Sequence, residues 1–462
     1  MRHGETPGVA VLANASSEAR RAGTLIYTPA ALLMVMGWML MADFCLQLME
    51  SLPSILPLQV RDFGGSDRTV GFVKDSLPAL LAVFLVPFIG VQSDRFRSRL
   101  GRRRPFLLWC TPLVCLFLCL IGFVQPIAAA VHSALAPLAP GISPSAVGLV
   151  LIAMFAAGFF AVNTYVIQIF YYLIPDVLPR AYMGRFVGIF RAVGAVGGFV
   201  FNRYIFRFVD GYVEWVYLGC AALYAAAFLL LVWQVREGDY PPPPEARDGK
   251  LVFLRRYFAE CFADPFYLQL FGVSLCFWAA SVPFNTFVVF YATNSPTLTH
   301  GAGLGLSLAA FGEARAWTFL PKIAAALLIG PLIDRFDPLR VLILSLAAMV
   351  ALYIAAFLLV RTPDQFVAWW ILSEAVVTVL LVAYLANFPV LLPADRYGQF
   401  FSANQLVFSA GLIAAPVLCG SMLDATGDYR LLYAWSGGLM ALSLVLAIRV
   451  RRLWIRRQTA SA

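Results

Sequence analysis

Stretches of about twenty mostly apolar residues recur from one end of this chain to the other, and no other feature limits its fold so strongly. As a helix rising about 1.5 Å per residue, each stretch is long enough to cross a hydrocarbon core of about 30 Å. Helices are expected because lipid offers the backbone no hydrogen-bond partners, and a helix satisfies its own. Composition agrees: 61% of the 462 residues are hydrophobic and only 13% are charged, against roughly 25% charged in an ordinary soluble domain. A water-soluble fold could not cover that much apolar surface. The fold class expected is an all-α polytopic membrane protein.

The segments run at roughly 30–59, 70–92, 106–131, 146–173, 186–209, 213–235, 267–292, 305–333, 339–360, 367–391, 401–423 and 429–449, about twelve spans. Positive charge gathers in alternate connections: Arg95 to Arg104, Arg180 and Arg185, Arg236 to Arg256, Arg335 and Arg340, and Arg396. The C-terminal tail adds Arg451, Arg452, Arg456 and Arg457, whereas connections 132–145 and 293–304 carry no Lys or Arg. The positive-inside rule then places both termini in the cytoplasm, in a multi-pass protein of the plasma membrane or, in a prokaryote, the inner membrane. The same placement accounts for the formal charge of +9 without a nucleic-acid partner. Residues 1–28 hold no apolar core ahead of a cleavage site and read as a cytoplasmic tail. The eight cysteines fall mostly within apolar segments and show no metal-ligand spacing, so neither a metal nor another cofactor is expected.

The chain repeats itself. The second segment ends G-V-Q-S-D-R-F at Gly90 to Phe96, and the eighth ends G-P-L-I-D-R-F at Gly330 to Phe336, 240 residues on, counted from Gly90 to Gly330. Pro179 to Phe186 (P-R-A-Y-M-G-R-F) likewise matches Pro393 to Phe400 (P-A-D-R-Y-G-Q-F). The least hydrophobic interior stretch, 236–266, contains Pro241 to Pro244 and reads as a linker. The expected plan is a tail at 1–28, six-helix bundles at 29–235 and 267–450 joined by the linker 236–266, and a tail at 451–462. Two parallel six-helix repeats with a site between them near the membrane midplane is a transporter plan.

Gly90, Asp94, Arg95, Gly101, Arg102 and Arg103 resemble the signature loop of the major facilitator superfamily, and Gly330, Asp334 and Arg335 repeat it. The longer run S-D-R-F-R-S-R-L-G-R-R-R-P-F, Ser93 to Phe106, resembles the sucrose-transporter and glycoside–pentoside–hexuronide cation symporter branch. The resemblance implies the major facilitator fold, about twelve helices in two six-helix pseudo-repeats. It also implies that this loop gates the cytoplasmic side. Asp94 ends a helix, where its charge opposes that helix's dipole but suits the positive start of a neighbour, and the neighbour expected is the eleventh helix near Phe401. The branch carries an acid and an arginine in its fourth helix, and with the loop acid registered on Asp176 those places hold Phe160 and Tyr171. Both charges are absent together, so coupling must use other residues or be missing.

An acid near the bilayer centre costs about 2.5–3.5 kcal/mol on insertion scales, which marks any such residue for attention. Asp43 lies roughly 20 Å along the first helix at about 1.5 Å per residue. Gln47 and Glu50 follow at four and seven residues and share its face. A carboxyl group held out of water favours its neutral form, which fits proton or cation coupling at Asp43; a structural pair with a cation of another helix is the plainer reading. Glu50 stands near the outer surface, where snorkelling is the alternative. Lys322 is about 16 Å inside the eighth helix by the same rise. Its repeat partner is Ala82, so the lysine breaks the symmetry, and an ion pair with Asp43, an anionic substrate or a coupling role are all open. Glu374 and Arg191 also lie inside spans, and Glu313 and Arg315 stand opposite Lys74 and Asp75 in the repeat as interfacial or gate pairs. No histidine lies within a span, so carboxylates remain for proton transfer.

Amides and aromatics of the helices, namely Asn163, Gln168, Asn285, Asn387, Asn404 and Trp278, are candidates to line a cavity, each weighed against a plain packing role. Gly194, Gly197 and Gly198 read as a close helix contact. No nucleophile–base set or phosphate loop points to an enzyme. The reading is a secondary transporter, a monomer in the lipid bilayer, moving a sugar or glycoside with a proton or sodium ion. Transport or export of another small solute, such as an organic acid, is the first alternative. A non-transporting assembly factor for a pigment–protein complex, which shares the fold, is the alternative of another class.

Overall fold

The computed structural model describes residues 21–239, 260–295, 303–324, 337–393 and 396–461. Residues 1–20, the middle of the expected linker, and Asp334 and Arg335 of the second signature loop lie outside the described residues.

Five helices announce their starts with a capping residue followed by proline: Thr28-Pro29, Ser143-Pro144, Asp264-Pro265, Asp337-Pro338 and Thr362-Pro363. In each, the side-chain oxygen accepts a backbone N–H of the first turn, while proline has no N–H there to leave unpaired. Thr362 goes further and forms a reciprocal capping box with Gln365.

Among the described residues ten helices are long and apolar enough to cross a membrane. One of them, Ala181–Gln234, has 54 residues and cannot be a single span. Its backbone leaves the helical region at Asp210, Gly211 and Tyr212, with Gly211 at φ 95°, so it forms two. A further helix, Leu308–Trp317, stands in the eighth segment. The twelve elements that correspond to the expected spans are α1 (Pro29–Asp62), α2 (Asp67–Arg95), α3 (Arg104–Gly122), α4 (Pro144–Val177), α5 (Arg180–Val200) and α6 (Val209–Gln234) in the N-terminal half, where a shorter helix, Val124–Leu135, also follows α3. The C-terminal half holds α7 (Pro265–Thr293), α8 (Leu308–Trp317), α9 (Pro338–Leu359), α10 (Pro363–Leu391), α11 (Tyr397–Thr426) and α12 (Leu431–Ser461). The chain is thus an all-helical polytopic membrane protein. Helix α12 runs through the segment read as a tail from 451.

Large apolar side chains such as Phe84, Trp233 and Leu344 stand fully outward, as expected of helices whose outer faces meet lipid. Inside each half, neighbours pack closely: α1 along α5, α3 along α4 and α6, and α7 along α11 and α12. The first and last described residues lie on one side, called here the termini end. There β1 (Arg21–Ala22) and β2 (Leu25–Ile26) form a short antiparallel hairpin, and Thr24 Oγ1 accepts the Asp239 N–H at 2.8 Å. Arg457 of α12 pairs with Asp264 beside the start of α7 at 2.6 Å.

The halves meet at the opposite, far end. Helices α2 and α11 approach so closely that a Cβ on Gly71 would stand 2.5 Å from the Pro416 carbonyl oxygen, and one on Gly420 would stand 2.6 Å from that of Asp67. Helices α5 and α8 meet the same way, where Gly198 faces the Phe319 ring and Gly312 faces the Asn202 carbonyl. Glycine is the residue that permits these approaches.

Candidate functional site

Asp43 sits on α1 with 1% of its surface exposed, and its Oδ1 has no hydrogen-bond partner among the described residues. Helix α5 closes over it because position 194 is glycine, where a Cβ would lie 2.8 Å from Asp43 Oδ2 and 2.9 Å from Gln47 Cγ. The face predicted from spacing is present: Gln47 Nε2 donates to Glu50 Oε2 at 2.9 Å. Arg191 of α5 is close enough to act electrostatically on both Asp43 and Glu50. Beyond Glu50 opens a cavity of about 370 Å³ between α1, α2 and α4, lined by Glu50, Ala82, Phe160, Asn163, Thr164 and Gln168 among others. Asn163 and Gln168 line this cavity, and Phe160 contributes an apolar wall.

On the other half, Lys322 pairs with Glu374 of α10 at 3.0 Å. The pair expected as one option, Lys322 with Asp43, is not made, because Asp43 is enclosed by its own half beneath α5. Four other candidates make their contacts within their own half. Asn404 belongs to a buried network in which Ser274 Oγ donates to Asn404 Oδ1 at 2.6 Å and Tyr384 Oη to Ser274 Oγ at 2.9 Å. Asn387 is buried and donates to its own helix at Ala383, and Asn285 does the same at Ser281. Trp278 stacks on Phe408, with ring centres 5.6 Å apart.

Polar contacts lock the far end. The Asp67 carboxylate is bound by Arg61 of α1 and, at 2.5 Å, by the Tyr429 hydroxyl beside α12. Arg61 also stacks over Phe290, 4.0 Å from its ring centre. Nearby, Lys74 Nζ donates to Thr286 Oγ1 at 2.6 Å, and Thr286 donates to Asp75. The backbone there, Phe72–Ser76, forms a π-helical turn, as Pro78 has no N–H for the Lys74 carbonyl. Arg203 and Glu313 pair across the halves at 3.3 Å. The four residues read as gate pairs thus divide: Lys74, Asp75 and Glu313 make cross-half contacts, and Arg315 makes none among the described residues.

At the termini end the loop residues bind within their own half. Arg103 reaches Asp94 at 2.5 Å and Asp176 at 3.4 Å, and Arg102 reaches Asp176 at 2.7 Å. Glu237, just past α6, accepts the backbone N–H groups of Arg102, Arg103 and Arg104 at 3.0, 2.9 and 2.7 Å, capping α3. Gly101 turns the chain there at φ 105°, where a Cβ would lie 2.6 Å from the Glu237 carboxyl carbon. Arg95 is exposed, and Gly90 has only ordinary room beside Tyr172. The expected latch between Asp94 and the start of α11 is not made: Asp94 is 54% exposed, and the Phe401 ring packs on Phe388 and Tyr397 of its own half. Among the described residues nothing lies within 4 Å of a Cβ built on Gly188, in the third turn of α5, or on Gly398, in the first turn of α11, so both positions face open space.

The sequence matches the Major Facilitator Superfamily over residues 27–312 and 284–461. The chain belongs to the Major Facilitator Superfamily. No curated protein matches it in sequence. Its fold is similar to that of the nucleoside transporter NupG, at TM-score 0.62 and 15% identity over 92% of this chain and 99% of that one. It is also similar to a bacterial homologue of the iron transporter ferroportin in its inward-facing state, at TM-score 0.66 and 13% identity over 91% and 99%. Against the outward-facing state of that homologue the TM-score is 0.59, at 14% identity over 90% and 99%.

Within this superfamily fold, the far-end lock is what the sequence reading missed. Arg61, Asp67 and Asp424 fall in connections between apolar segments and look like solvated loop residues, and Tyr429 stands at the very start of the twelfth segment. The available signal was Ser66, whose hydroxyl caps Thr69 N–H and starts α2 before the apolar run begins.

Proposed function

We propose that this superfamily member is a cation-coupled symporter of a small polar solute, a sugar or glycoside, working by alternating access with the termini end in the cytoplasm. The observation that carries the coupling is Asp43: a carboxyl group within a span, 1% exposed, with one oxygen unpartnered among the described residues. A charge there is costly, so a proton or a sodium ion neutralises it in part of the cycle. The adjoining cavity, bounded by Glu50, Asn163 and Gln168, supplies hydroxyl-binding groups and the aromatic face of Phe160.

The far-end contacts and the open space at Gly188 of α5 and Gly398 of α11 support an inward-facing state, and the higher similarity to the inward-facing ferroportin homologue agrees. In that state Asp94, with Gly90, Arg95 and Gly101, is released from the gate that it closes in the opposite state. A monomer in the plasma membrane satisfies this account. The test is uptake into proteoliposomes: a sugar that accumulates only under an imposed proton or sodium gradient supports it, and uptake that only equilibrates contradicts coupling. The alternative solute, an organic acid, has its own observation in the cations of α8.

A further inference from the structure

Helix α8 is interrupted where its charges lie. Pro321 has no N–H for the Trp317 carbonyl, and the regular helix stops at Trp317. Both the N–H and the hydroxyl of Thr318 turn back to the Arg315 carbonyl, at 3.2 and 2.7 Å. Arg315 and Lys322 flank this break on either side of Phe319. Phe319 meets Gly198, so this stretch packs toward the N-terminal half.

The charges on this wall do not balance. Lys322 Nζ is 3.0 Å from Glu374 Oε2 and 4.8 Å from the Phe319 ring centre. Arg315 is half-buried and has no acceptor within hydrogen-bonding distance among the described residues, although Glu374 is close enough to act on its charge. Two cations thus share one carboxylate. A guanidinium brings five N–H donors in a planar fork that suits a carboxylate or phosphate, and a neutral solute leaves those donors and the excess charge unanswered. The opposite wall is balanced the other way, with Asp43 and Glu50 against Arg191.

We infer that Arg315 and Lys322 form an anion subsite for the carboxylate or phosphate of an acidic solute, and that Glu374 occupies Lys322 while the subsite is empty. When the solute anion arrives it takes the Lys322 ammonium from Glu374 and the free donors of Arg315. This rests on the transport reading only in taking the space between the halves as the solute's path. It names the group by which the solute is recognised, an acid group borne on whatever polar frame the other wall holds.

The test uses purified full-length protein in detergent and reads the concentration of sodium acetate or sodium phosphate that half-maximally raises Tm, against sodium chloride of equal ionic strength. Removing the internal competitor in Glu374→Gln should lower that midpoint at least fivefold, and Arg315→Gln or Lys322→Gln should each raise it by a similar factor. Acetate acting more strongly than phosphate assigns a carboxylate solute, and the reverse a phosphate ester. A Glu374→Gln protein that takes either anion no better than wild type overturns the inference. If that variant is not recovered folded, the wild-type protein decides: an anion-specific rise in Tm that Arg315→Gln removes supports the subsite, and no rise over chloride overturns it. Uptake is not read here, so failure removes the subsite and leaves coupled transport standing.

Discussion

Asp424, at the end of α11, accepts the backbone N–H of Asp67 at 2.7 Å and that of Arg68 at 2.9 Å, so an acid of one half caps a helix of the other. An acid at the C-terminal end of its own helix is unfavourably placed, and the positive start of α2 explains its position. Under the alternating-access proposal this contact must break when the far end opens.

Asp424→Asn should therefore weaken far-end closure by about 0.3–2 kcal/mol, the range for a charge at a helix terminus. A cysteine replacing Ala82 in the cavity reports this. Its labelling by an impermeant reagent added at the far end should speed up in the Asp424→Asn background. An unchanged rate would mean that the cap does not contribute to closure.

Sidedness is a separate prediction. A cysteine at position 97, in the arginine-rich loop, should react only from the cytoplasm, and one at position 138, where Leu138 is 82% exposed, only from outside. The opposite pattern would invert the orientation and with it the inward-facing assignment.

Helix α5 packs on α1 through glycine. At Gly197 a Cβ would lie 2.7 Å from the Phe44 carbonyl oxygen, whereas at Gly188 nothing is within 4 Å. Gly197→Ala should cost about 1–3 kcal/mol, as overpacking does. Gly188→Ala should leave thermal stability in detergent near wild type. Equal melting temperatures for the two variants would contradict this helix contact.

Spans, repeat and signature loop could be read in the sequence because each rests on local composition. The five cap-proline pairs are equally local. What could not be read is which face of a helix points where. Lipid and protein interior are both apolar, so a spanning helix has no polar side to declare its orientation. Asn163 and Asn404 are alike as letters, yet one lines a cavity and the other sits in a closed hydrogen-bond network. The partners of Lys322 and Arg61 are distant in sequence, at Glu374 and Tyr429, and only folding brings them within 3.0 and 2.5 Å. The latch expected at Asp94 would form in only one state of an alternating-access cycle, and a sequence specifies both states at once.

The most direct measurement is gradient-driven accumulation by Asp43→Asn in proteoliposomes, alongside solute exchange in the same vesicles. Asparagine keeps the size of the neutral acid and its place beneath Gly194, so binding and exchange should persist. A ligand that favours the protonated state must raise that state's proton affinity, and the variant has lost the group through which this linkage acts. The account predicts exchange with no accumulation under a proton or sodium gradient. Accumulation as strong as in the wild type would contradict it and leave Asp43 a packing residue.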